Sequence, residues 1–105
     1  MLKYILLSLV SLNVQAFTYI QSAGDLLYTF REDAPETELY LSAGYIIATF
    51  DSAKNIKLIC PNDRIGVFDI ITTTENNLNF LAQNSYFTAS SVLTDIFTRN
   101  YPCYQ

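Results

Sequence analysis

Ser91-Val92-Leu93-Thr94-Asp95-Ile96-Phe97-Thr98 is the stretch whose conformation decides the fold. Wound as a helix, it sets Val92, Leu93, Ile96 and Phe97 one turn apart, with Ser91 available to cap the start. Extended, its β-branched and aromatic residues suit a strand equally well. The segments before it tip the reading towards strand. Leu26-Leu27-Tyr28-Thr29-Phe30-Arg31 alternates, with Leu26, Tyr28 and Phe30 on one face and Leu27, Thr29 and Arg31 on the other. Ala23-Gly24-Asp25 reads as a turn leading into it from a strand at Phe17–Gln21, and Glu32-Asp33-Ala34-Pro35-Glu36 reads as a polar loop after it.

Further short runs follow at similar intervals. Glu38–Ser42 and Tyr45–Phe50 flank Gly44, and Ile56–Cys60 runs into the turn Pro61-Asn62-Asp63. Arg64–Thr73 is the longest run, with Gly66 as a bulge or a point of close approach. Glu75-Asn76-Asn77 turns the chain into Leu78–Ala82, and a short Tyr86–Ala89 comes next. With residues 91–98 taken as strand, about eight short strands and no intervening helix predict an all-β chain. The expected architecture is a small antiparallel β-sandwich or barrel.

The N-terminus has the layout of a secretory signal. One positive charge at Lys3 precedes the apolar run Ile5–Leu12, and Asn13-Val14-Gln15-Ala16 offers a cut between Ala16 and Phe17. The rival reading, a membrane anchor, needs about 20 apolar residues, more than this run supplies. The expected organisation is therefore a signal peptide at 1–16 and one secreted domain at 17–105, with no membrane association after cleavage. In an oxidising compartment Cys60 and Cys103 pair most simply as one disulfide, the alternatives being free thiols or a bond to another chain. Closing a loop of roughly 44 residues stabilises by about 4 kcal/mol in the chain-entropy treatment.

Composition removes whole classes of function. Residues 17–105 carry five basic residues (Arg31, Lys54, Lys57, Arg64, Arg99) against ten acidic ones. That acidity and the scatter of the basic residues speak against nucleic acid or an anionic membrane as partner. The chain has no histidine, so Ser-His-Asp and Cys-His nucleophiles, imidazole acid–base chemistry and histidine-bearing zinc sites are out of reach. Cys60 and Cys103 are too far apart in sequence for a CxxC motif. No cofactor and no metal is expected.

The remaining catalytic option is a carboxylate pair of the glycoside-hydrolase kind, drawn from Asp51, Asp63, Asp69 and Glu75. Asp69, inside Val67-Phe68-Asp69-Ile70-Ile71, would become a proton donor if buried; the favoured reading places it on a solvated face. Glu32, Asp33, Glu36 and Glu38 lack the ligand spacing and glycine of a calcium loop, and read as a solvated acidic loop. Tyrosines are abundant, and Tyr40 and Tyr45 are the candidates for an exposed binding surface, with cross-strand packing as the alternative for that pair and the core as the expected place of the others.

Asp63-Arg64-Ile65-Gly66-Val67-Phe68, then Leu78-Asn79-Phe80 and Tyr86-Phe87-Thr88-Ala89, with Cys103 near the end, resemble the C-terminal β-domain of fungal PIR-type cell-wall mannoproteins. The likeness spans about half of residues 17–105. It departs from the family at Ala89, where a cysteine is expected, at Asp63, where glycine is expected, and in lacking the glutamine-containing repeat. The resemblance implies an extracellular, non-enzymatic wall component. The expected function is thus a secreted, non-catalytic β-domain acting by contact with a protein or a cell-surface polysaccharide. Two alternatives stand beside it: a secreted effector or toxin-like protein that binds a host target, and a carboxylate-dependent glycan hydrolase.

Overall fold

The computed structural model describes residues 20–104. Their backbone winds into five helices: α1 (Ala23–Tyr28), α2 (Glu36–Asn55), α3 (Val67–Glu75), α4 (Leu78–Gln83) and α5 (Ala89–Asn100). The expected β-sandwich or barrel is wrong. Among the described residues there is no sheet, and the single extended pairing is an isolated antiparallel bridge between Ser22 and Thr88. The expected signal segment at residues 1–16 lies outside the described residues.

The decisive segment, 91–98, is the middle of α5. Ala89, Val92, Leu93, Ile96 and Phe97 are all buried. A strand would split the last four between two faces, whereas a helix gathers them on one. Burying each such side chain is worth about 1.5–3 kcal/mol, while a β-branched residue in a helix costs only a few tenths. Thr88 caps the helix by accepting the Ser91 N–H at 3.4 Å. The Thr94 hydroxyl donates back to the Ser90 carbonyl, so this residue with high strand propensity is satisfied within the helix.

Helix α1 replaces the alternating strand at 26–31. Ser22 and Asp25 form a reciprocal capping box, each side chain accepting the other's backbone N–H at 3.1 Å. The buried set Ala23, Leu26 and Thr29 has helical spacing, and Tyr28, expected inside, is exposed. In α2 the two expected strands fuse into one 20-residue helix. Its buried face is Ser42, Ile46, Phe50 and Ala53, a stripe obscured in the sequence by Leu39, Tyr40 and Leu41 on the outer side. Glu36 and Glu38 open this helix and Lys54 closes it, as the macrodipole favours. It ends in a Schellman turn: Lys57 is left-handed (φ 63°), and the Leu58 and Lys57 N–H groups donate to the carbonyls of Ala53 and Lys54.

The expected long strand Arg64–Thr73 is a loop followed by α3. Ile70 and Thr74 face inward, four residues apart. Leu81 of α4 is fully buried, and Arg99 of α5 lies over the Phe80 ring, 4.2 Å from its centroid.

Three aromatic rings join the helices. Phe50 meets Phe97 and Tyr101 edge to face, each at 5.4 Å between centroids. The Tyr101 hydroxyl lies 2.7 Å from that of Thr73, and its carbonyl accepts the Cys60 N–H at 2.9 Å. The disulfide Cys60–Cys103 closes beside this junction, as the two cysteines' compartment reading anticipated. Gly44, on the exposed side of α2, has nothing within 4 Å of where a Cβ would stand. Gly44→Ala therefore stabilises by about 1 kcal/mol, which is roughly 4–8 °C in thermal melting; an unchanged or lower midpoint would refute this view of α2. Replacing both Cys60 and Cys103 by serine is expected to cost about 4 kcal/mol in urea unfolding, with the helical circular dichroism retained at low denaturant.

Candidate functional site

Where α1 ends, the chain tightens through Phe30, Arg31 and Ala34, whose N–H groups donate to Leu27, Tyr28 and Arg31 carbonyls, and Pro35 then starts α2. Pro35 suits that place because the first turn of a helix has no acceptor for its missing N–H. Across from this turn α3 stops at Glu75 and Asn76, and Leu78 opens α4. Together they enclose a cleft of about 580 Å³ with Phe30, Leu39 and Leu78 in its walls and Glu32, Glu36 and Glu75 among its lining. A second recess of about 410 Å³, bounded by Leu27 and Tyr28, shares Phe30, Arg31 and Leu78 with it.

The electrostatics of this cleft are lopsided. The three carboxylates are exposed, and neither α1 nor α3 carries a basic residue in its last turn to offset its negative end. The single cation of the lining, Arg31, is turned to other partners. Its Nε is 3.8 Å from the Asp33 carboxylate and its guanidinium carbon 5.6 Å from the Tyr28 ring centroid.

A separate groove of about 280 Å³ runs between α2 and α5, lined by uncharged residues that include Tyr45, Thr49, Ile56, Leu58 and Thr94. Tyr45, one of the two expected surface tyrosines, is half-buried there and packs on the core. Tyr40, the other, is 69 % exposed. Both stand on α2 rather than on strands. A spacing of five residues turns them about 140° apart around the helix axis, so they do not form one platform. The tyrosines expected in the core divide: Tyr101 is there, but Tyr86 and Tyr104 are 99 % and 89 % exposed, and Tyr19 lies outside the described residues. Phe68, at the start of α3, is 88 % exposed, and Phe87 stands out beside Tyr86. A run read as strand has no outer helical face, and the spacing of Ile70 and Thr74 is the signal that puts Phe68 on one; Phe87 stands in the turn between α4 and α5.

Asp69 is an exposed helix-capping residue. Its Oδ2 accepts the Gly66 N–H at 2.8 Å, and glycine returns no side-chain bond, so this is half of a capping box. Asp51, Asp63 and Glu75 are exposed as well. Among the described residues no group of three or more Asp, Glu or Cys side chains comes together to hold a metal ion, and no helix is long and apolar enough to cross a membrane. Comparison with family models, curated proteins and solved structures found no match to the chain. Asp69→Asn is expected to lower unfolding free energy by about 0.5–1 kcal/mol through the weakened cap. A loss several times larger in denaturant titration would mean that the carboxylate is part of the interior.

Proposed function

We propose that this chain is an exported, non-catalytic domain that acts by binding another protein with its surface. The observation that carries the reading is the near-complete exposure of large aromatic side chains, Phe68 and Tyr86 foremost, on a body of helices locked by a disulfide. Aromatic residues held in water cost solubility and are the residue types that anchor protein interfaces. A rigid body lowers the entropy lost on association. Export is supported by the charged, apolar and small-residue order of residues 1–16 and by the cysteine pair, since disulfides persist in oxidising compartments. The absence of histidine narrows the catalytic alternatives, and Asp51, Asp63, Asp69 and Glu75 stand exposed on separate parts of the fold.

The oxidised protein, immobilised and exposed to extracellular material from its source, is expected to retain a discrete protein. The double variant Phe68→Ala, Tyr86→Ala should weaken that capture at least tenfold, corresponding to about 1.4 kcal/mol or more. Retention of no protein, alongside robust binding on a glycan array, would turn the reading towards a polysaccharide ligand.

A further inference from the structure

The cleft between the α1–α2 turn and the α3–α4 junction has a composition that selects its occupant. Resting on the protein-binding reading above, we propose that it takes a cationic–aliphatic segment of the partner protein: a Lys or Arg side chain with an apolar neighbour. Phe30, Leu39 and Leu78 supply walls for the methylene stem and the apolar neighbour, and Glu32, Glu36 and Glu75 supply the charge for the head group. Long basic side chains divide themselves in this way, stem on apolar surface and head among acceptors. At about 580 Å³ the cleft has the size at which clefts enclose ligands.

The negative character of the cleft comes from its carboxylates: Glu32, Glu36 and Glu75 outnumber Arg31, which shares its charge with Asp33 at 3.8 Å and with the Tyr28 face. The helix ends around it offset one another, since the C-terminal ends of α1 and α3 face the N-terminal ends of α2 and α4. An anionic ligand would meet repulsion from the carboxylates. A second copy of the chain would have to bring its own cationic–apolar stretch, Lys54–Leu58 at the far end of the 20-residue α2, into the cleft; self-association is therefore measured beside the peptide titration.

The probe is the peptide acetyl-Ala-Leu-Arg-Leu-Lys-Ala-amide, with a counterpart carrying Glu in place of Arg and Lys, titrated into the ¹⁵N-labelled oxidised chain. The cationic peptide should shift the amide resonances of Phe30–Glu36 and Glu75–Leu78, and the acidic one should leave them in place. Glu36→Gln with Glu75→Gln should weaken both this binding and partner capture at least tenfold, with the thermal midpoint confirming that the variant folds. Shifts confined to other residues, or equal response to both peptides, would overturn the proposal. So would the same footprint from spermidine with none from the peptide, or concentration-dependent self-association abolished by the two Gln substitutions. Capture that survives Glu36→Gln, Glu75→Gln but fails with Phe68→Ala, Tyr86→Ala removes the cleft and leaves the protein-binding reading intact. Failure to capture any partner counts against that reading, while the peptide titration judges the cleft by itself.

Discussion

Tyr101 stands where three parts of the chain have to meet, and the rest of the structure depends on that junction. Its ring packs edge to face on Phe50 from α2 and beside Phe97 from α5, its hydroxyl reaches Thr73 on α3, and its carbonyl holds the Cys60 N–H. Two residues later Cys103 bonds Cys60 covalently. A domain this small buries too little surface for packing alone to leave a wide margin. The cross-link meets that shortage in the unfolded state, by denying the chain the freedom of a long loop. The aromatic cluster meets it in the folded state.

The other end of α5 has its own clasp. Ala23 donates to the Phe87 carbonyl and Ala89 to that of Gln21, which ties the starts of α1 and α5 together through the backbone. A six-residue helix has no stability of its own in water; α1 persists because its cap and this bridge hold it against α5. Gly24 makes the approach feasible, since a Cβ there would come within 3.2 Å of the Ser85 carbonyl oxygen. Both ends of α5 are thus fastened to other parts of the chain.

The surface features are of two kinds, and they suit contact better than chemistry. Aromatic side chains stand in water at Phe68 and at the adjacent pair Tyr86 and Phe87. The cleft beside the α1–α2 turn combines apolar walls with carboxylates. In the proposed reading the aromatics supply the area that anchors a partner and the cleft selects which partner, because charge complementarity governs discrimination more than total affinity.

The amino-acid order by itself determined the chemistry that is out of reach and much of the local hardware. The missing histidine, the acidic balance, the paired cysteines and the polar loop around Pro35 were all legible, because each rests on residue type or on contacts a few positions apart. The Ser22–Asp25 capping box is present as a pattern too, but Ala23-Gly24-Asp25 within it reads equally as a turn. The helical fold was not legible: Val, Ile, Thr and the aromatics favour strands only by a few tenths of a kcal/mol per residue, and burial overrides that. In α5 one helical face buries what a strand would have split between two, and only the presence of α1, α2 and α3 on that side makes the helix the winner. The cleft is likewise a product of tertiary structure. Glu32, Glu36, Glu75 and Leu78 are scattered over more than forty residues, and they share a surface because the end of α3 is packed against the start of α2.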